Sequence, residues 1–226
     1  MLDGTKDVYK HIKIFWDSIF KNESKESSVS DDFDNRELQK ATDFLCENTE
    51  SVLDFGCGNG SWLFKCLKRG TRFHIGIDLS EEAIALANRL KTLVKNKDAK
   101  FEFYQGGISE LESIQDSSID AVILSNIVDN LIPEDANQLI YQAHRILKPN
   151  GKILIKLNPY LTKEQIREWN IGVIEGNLLD DGLYLWNQTT EEWRELFAHY
   201  FIVLQYKDVY FEEYDQCNRL FYMVKK

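Results

Sequence analysis

Val52-Leu53-Asp54-Phe55-Gly56-Cys57-Gly58-Asn59-Gly60 runs from an apolar strand end into three alternating glycines, with one carboxylate set just ahead of them. Glycine at this spacing lets the backbone turn sharply from a strand into a helix and approach a ligand closely, while the helix N-terminal N–H groups face the same crevice. Two familiar phosphate loops do not fit. A dinucleotide loop reads G-x-G-x-x-G, and a P-loop needs Lys followed by Ser or Thr after its last glycine; here the loop reads G-x-G-x-G and Ser61-Trp62 follow it. Asp54 repels a phosphate at close range and attracts a cation.

A second anchor is Phe73-His74-Ile75-Gly76-Ile77-Asp78-Leu79-Ser80, an apolar strand ending in an acid. A carboxylate at the end of a second strand can accept hydrogen bonds from both hydroxyls of a ribose. An adenosine at Asp78 and a cation at Asp54 together describe S-adenosylmethionine, whose methionine half carries an ammonium and a sulfonium. Leu79 is placed to pack on the adenine face. Further along come Asp120-Ala121-Val122-Ile123-Leu124-Ser125-Asn126 and Arg145-Ile146-Leu147-Lys148-Pro149-Asn150-Gly151-Lys152. A glycine loop alone is a weak signal, equally a tight structural turn; these features in this order make coincidence improbable.

Together they resemble the class I S-adenosylmethionine-dependent methyltransferase family, in its small-molecule branch, from roughly residue 35 to residue 160. The resemblance implies an α/β, Rossmann-like, doubly wound, seven-stranded and mostly parallel sheet. Its last strand would be antiparallel, inserted between the fifth and sixth, and a helical lid would lead the chain. It implies S-adenosylmethionine as cofactor and S-adenosylhomocysteine as product. The cofactor-binding residues would be Asp54, Gly56, Cys57, Gly58, Asp78, Leu79, Gly107, Ile108, Ser125 and Asn126, with Trp16 from the lid. One departure stands out: relatives commonly follow the third strand with Gly-Asp, whose carboxylate meets the adenine amino group, and here the pair is Gly106-Gly107. Backbone at Gly107 and Ile108, or Ser109, would have to serve adenine.

The chain has 226 residues, 43% of them hydrophobic, enough for one sizeable domain. A net charge of −10 argues against a broad phosphate-binding surface. No apolar run approaches a membrane span, and no signal-peptide core precedes the first charges, so a cytoplasmic protein is expected. Cys46, Cys57, Cys66 and Cys217 form no C-x-x-C pair and have no companion histidine spacing, which points to reduced thiols and no metal. Cys57 would be a small side chain packed under the turn.

From residue 51 onward strands and helices alternate, with strands expected at 51–54, 73–77, 101–104, 121–125 and 152–157 and helices between them. Ser80 caps one helix, whose apolar face is Ala83, Ile84, Ala87 and Leu90; Pro133 opens another, ending at Leu147. Thr162 to Gln165 and Thr189 to Glu192 have capping-box form. Phe201 to Val209 and Arg219 to Val224 supply the sixth and seventh strands. Residues 1–32 would form the lid helix, with Val8, Ile12, Phe15, Trp16, Ile19 and Phe20 at helical spacing, and a mobile Ser-rich loop from Lys21 to Asp32. Residues 33–226 would be a single methyltransferase domain with an acceptor-site cap around 158–190.

Methyl transfer is an in-line displacement that positioning alone can accelerate, so no fixed triad is required. Candidate catalytic groups lie in the loops after the fourth and fifth strands: Asp129, as a base or a partner for a cationic acceptor, and Tyr160. A solvated loop acid or a helix cap is the competing account of Asp129. His144, on the helix ending at Leu147, reads as structural. Tyr184 and Trp186 would line an acceptor pocket suited to an apolar or cationic small molecule. The expected protein is therefore a methyltransferase acting on a small-molecule acceptor, monomeric or homodimeric, with no nucleic-acid or membrane partner. A methyltransferase of protein or RNA, and a noncatalytic adenosyl-ligand binder or an NAD-type enzyme, are the alternatives.

Overall fold

The computed structural model describes residues 8–23, 29 and 32–226. Residues 24–28, 30 and 31, within the expected Lys21 to Asp32 loop, lie outside the described residues. In chain order the helices are α1 (Lys10–Glu23), α2 (Arg36–Cys46), α3 (Ser61–Lys68), α4 (Glu81–Lys91), α5 (Pro133–Ile146), α6 (Lys163–Glu168) and α7 (Thr190–Phe197). The strands are β1 (Ser51–Phe55), β2 (Phe73–Asp78), β3 (Lys100–Gln105), β4 (Ile119–Ser125), β5 (Leu147–Leu157), β6 (Gly172–Glu175), β7 (Leu178–Asp180), β8 (Tyr184–Trp186), β9 (Phe201–Phe211) and β10 (Gln216–Lys225).

Seven strands form one sheet in the order β3-β2-β1-β4-β5-β10-β9. The first five run parallel, and β10 pairs antiparallel with both β5 and β9. This is the Rossmann-like methyltransferase fold expected, with the last strand between the fifth and sixth. Its two faces carry separate buried cores, one including Leu53, Val122, Leu139, Ile155, Trp193 and Phe221, the other Leu45, Val52, Leu63, Ile123 and Leu220. β1 and β4 sit centrally and are almost wholly buried, as expected of mainly apolar parallel strands covered on both sides, with Asp54 the buried acid of β1.

Helix starts follow local chemistry. Ser80 Oγ accepts from Ala83 N at the start of α4, and complete capping boxes at Thr162/Gln165 and Thr189/Glu192 open α6 and α7.

The structure departs from the sequence reading in two places. No α-helix joins β3 to β4: Gly106-Gly107 leads into a six-residue 3-10 helix at Ile108–Ser113, in a connection rich in Gly, Ser and acids that disfavour a helix interior. Residues 172–186 form an unanticipated three-stranded antiparallel sheet, β6-β7-β8. Its strands have three or four residues, and its turns use Gly176 at φ +55° and Gly182 at φ +83°, too little sequence to register as a period. The apolar stripe of α1 is only partly covered. Ile12 is buried, whereas Phe15, Trp16 and Ile19 are 42%, 36% and 43% exposed.

Candidate active site at the strand carboxyl ends

The loop after β1 is built as its sequence requires. Gly56, Gly58 and Gly60 all have positive φ (+75°, +53° and +79°), and Gly60 stands at the left-handed N-cap of α3. Gly56 N and Cys57 N both donate to Ile77 O, tying the loop to the end of β2. Cys57 is buried beneath the turn, its Sγ 2.8 Å from where a Cβ on Gly76 would stand; burial and the nearby carboxylates push its thiol up, so it is a packing group rather than a nucleophile.

Two carboxylates face the crevice. Asp78 is half-buried by area: its Oδ2 accepts from Gly58 N and its Oδ1 from Ser80 N, each at 2.8 Å. Desolvation raises its pKa while these two N–H groups oppose the rise. It therefore couples the glycine loop to the start of α4 and still has lone pairs for hydroxyl donors. Asp54 is different. It is 1% exposed, and neither carboxylate oxygen has a hydrogen-bond partner among the described residues. Burial, then the charge of Asp78, hold its carboxyl well above the usual range, with Lys156 opposing. A bare buried carboxylate is costly unless a cation completes it, and an ammonium and sulfonium ligand fits that demand.

The remaining residues expected at the cofactor lie around this crevice. Ser125 ends β4, and Asn126 follows it at φ +53°, its N–H donating to Lys156 O at 2.7 Å. Leu79 is half-buried, its carbonyl accepting from Gln105 Nε2. Gly107 is extended (φ −121°, ψ −153°), and a Cβ there would meet nothing within 4 Å; Ile108 packs partly against the core. Gly107 therefore offers backbone alone and open space beside it.

α1 lies across the strand ends. A Cβ on Gly58 would stand 2.9 Å from Phe20 Cζ, so the Phe20 ring rests on the glycine loop, with Trp16 beside it at 6.0 Å between centroids. Asp17 accepts from Ser80 Oγ at 2.7 Å. At the other end Tyr9 donates to Asp135 at 2.7 Å and accepts from Ile132 N, and His11 packs edge-on to Tyr184.

Beside the cofactor crevice stands a polar cluster. Asp129 is fully buried rather than solvated, and it caps no helix: its Oδ2 accepts from Asn158 N at 2.6 Å and its Oδ1 has no hydrogen-bond partner among the described residues. Burial raises its pKa to about 6, against the pull of the Asn158 N–H and the Arg219 charge. Asn126 Nδ2 donates to Asn158 Oδ1, Asn158 Nδ2 to Asn130 Oδ1, and Asn218 Nδ2 to Asn126 Oδ1. Arg219, 3% exposed, donates from Nε to Asn158 O and from Nη1 to Gln188 O, while its Nη2 is left over. Lys156, mostly buried, has its pKa pulled down to about 8 by desolvation, with Asp129 and Asp54 opposing. Tyr160 lies at the exposed rim, and His144 sits against Tyr200 and Phe201, away from these groups.

Arg219, Asn218 and Lys156 were not singled out from the sequence. Attention to the carboxyl ends of parallel strands misses β10, which is antiparallel and enters the site from its N-terminal end. An arginine leading an apolar run, Arg219-Leu220-Phe221-Tyr222-Met223, was the signal available.

A methyltransferase-domain family model matches residues 47–199. The tRNA N(3)-methylcytidine methyltransferase of Schizosaccharomyces pombe is 30% identical over 88% of this chain, which spans 68% of that protein. The tRNA(Thr) (cytosine(32)-N(3))-methyltransferase of Saccharomyces cerevisiae is 25% identical over 81% of this chain, which spans 31% of that protein. Among solved structures, magnesium protoporphyrin IX methyltransferase from Synechocystis PCC 6803 with bound S-adenosylhomocysteine superposes with TM-score 0.67 at 15% identity, covering 95% of this chain and 98% of the other.

Proposed function

This chain belongs to the methyltransferase-domain family and is an S-adenosylmethionine-dependent methyltransferase, and on that premise we propose that its acceptor is RNA, a transfer RNA in particular. The observation that carries this reading is similarity extending over 88% of the chain to a tRNA methyltransferase, repeated over 81% with a second. The same finding corrects the expectation of a small-molecule acceptor and no nucleic-acid partner. That expectation leaned on the net charge of −10, an average over the whole surface that does not report the field inside one cleft.

Each side of the site then has a role. Asp54, buried and unpartnered, receives the cationic methionine end of the cofactor; Asp78 accepts from the ribose; Gly56, Cys57 and Gly58 bring backbone close to the ligand. Leu79, Gly107 and Ile108 border the adenine, and Ser125 and Asn126 border the transferring centre. Trp16 and Phe20 make α1 a lid over the cofactor, and residues 158–190 form the acceptor-side cap. When bound, the cofactor supplies a methyl group activated by the sulfonium. The protein's own contribution is a dry crevice and a fixed approach, which supply most of what an in-line displacement needs. Asp129 and Tyr160 stand on the acceptor side.

The test is transfer of a labelled methyl group to a total tRNA fraction, with a metabolite extract as the competing acceptor. Label in tRNA is expected. Label only in small molecules sinks the reading, and in a parallel calorimetric titration Asp78→Ala should weaken S-adenosylhomocysteine by roughly tenfold or more.

A further inference from the structure

Polar groups at both ends, more than apolar burial, hold α1 in place. Ile12 is its buried residue, and Phe15, Trp16 and Ile19 are exposed. At the cofactor end Asp17 Oδ1 accepts from Ser80 Oγ at 2.7 Å and from Glu82 N at 3.4 Å, while Lys13 Nζ donates to its Oδ2 at 2.5 Å. Ser80 is fully buried and its N–H donates to Asp78 Oδ1, so the helix is fastened to the residue that also holds the ribose acid. At the acceptor end Tyr9, just before the helix, donates to Asp135 Oδ2 at 2.7 Å and accepts from Ile132 N at 3.1 Å. Tyr184 of β8 packs edge-on to both Tyr9 and His11 there.

The helix closes the crevice. Phe20 Cζ lies 2.9 Å from where a Cβ on Gly58 would stand, which puts the ring on the surface of the glycine loop, and Asp54 at the root of that loop is 1% exposed. A ligand reaches Asp54 only when this cover opens. Segments with little buried apolar surface are the ones that open locally, at low cost. Tyr9 and Asp17 are about 12 Å apart along a helix, and a helix carries a displacement along its length, so freeing one end loosens the other.

Taking Asp78 and the glycine loop as cofactor groups, as above, we propose that α1 is a strap with two latches, Asp17 on Ser80 and Tyr9 on Asp135, whose release as one unit gates entry and exit of the adenosyl ligand. Both are positioning residues, since neither is assigned to the ligand. While latched, the strap keeps water from the transferring centre. A gate also has a kinetic signature of its own. Closed in the free and the bound protein alike, it slows association and release together and leaves affinity nearly unchanged, whereas an ordinary binding contact slows release alone.

Surface plasmon resonance of S-adenosylhomocysteine on the immobilised full chain reads both rates. Asp17→Ala should raise association and release each roughly 10- to 100-fold, with Kd within about threefold of wild type. Asp17→Asn keeps an oxygen for Ser80 Oγ and Glu82 N, and its rates should stay within about threefold of wild type. Tyr9→Phe, altered at the end away from Asp78, should raise both rates roughly three- to tenfold. Faster release with a matching loss of affinity in Asp17→Ala makes Asp17 a binding contact and overturns the strap. So do wild-type rates in Tyr9→Phe, which would show that the two ends move separately, and so does an Asp17→Asn as fast as Asp17→Ala. These results leave the cofactor reading intact; a wild-type chain that does not bind S-adenosylhomocysteine overturns both.

Discussion

Replacing Asp54 by Asn should make the free protein more stable and the enzyme worse. The Asp54 carboxylate is 1% exposed, has no hydrogen-bond partner among the described residues, and lies near enough to Asp78 for that charge to raise its pKa further. A buried polar group left unsatisfied costs about 1–3 kcal/mol, and somewhat more when charged. Asparagine keeps the shape and cannot ionise, so the free variant never meets the cost that the raised pKa imposes on the carboxyl. With about 1 kcal/mol moving Tm by 2–4 °C in a chain of this size, the variant should melt roughly 2–10 °C higher without ligand. The pH dependence has a definite sign. The native pKa is raised, so the wild type loses stability as pH climbs from about 4, where the unfolded carboxyl ionises, to the pH at which the native carboxyl ionises. The advantage of the variant is therefore absent near pH 4 and grows with pH until the native carboxyl ionises. Cofactor binding should move the other way. A charged hydrogen bond to an ammonium contributes about 1.5–3 kcal/mol, so S-adenosylmethionine should bind roughly 10- to 150-fold more weakly. Because a cation lets Asp54 ionise, wild-type binding should release protons and the variant should release none. Calorimetry in two buffers of different ionisation enthalpy reads this directly. A lower Tm in the free variant, or unchanged affinity and proton release, would refute the reasoning.

Two further outcomes follow from the same geometry. Methyl transfer should rise with pH through about 6 as Asp129 ionises; the raised pKa also means that this carboxyl, like Asp54, lowers stability as pH rises from its unfolded value toward 6. A kcat/KM profile flat between pH 5 and 7 counts against a role for the carboxylate. Gly107→Asp should be accommodated without strain, because φ is −121° and a Cβ would have open space there. Supplying an acceptor at the adenine edge should tighten S-adenosylhomocysteine roughly three- to tenfold by calorimetric titration, and weaker binding would show that Gly107 does not border adenine.

Much of the fold was readable because its signals are local. The order of an apolar strand, a glycine loop and a capped helix, repeated to residue 157, is written in hydrophobic period and in Ser, Thr and Pro at helix starts. The missing β3–β4 helix and the β6-β7-β8 sheet were not legible for the opposite reason: runs of three to six residues have no period to read. The small-molecule acceptor failed differently, since overall charge and aromatic content carry no information on which surfaces face one another.

By itself the sequence determined the cofactor half of this protein. Asp54, the glycines of positive φ and Asp78 lie within one strand-turn-helix and the strand beside it, close enough in sequence for a local pattern to bring them together. Only the tertiary structure decided the polar cluster beside it. Asp129 follows β4, Asn158 follows β5 and Arg219 is the fourth residue of β10, and they meet because an antiparallel strand inserted beside β5 brings its N-terminal part to the ends of the parallel strands. Strand order and register are set by packing across the whole sheet, and no local pattern in the chain records them.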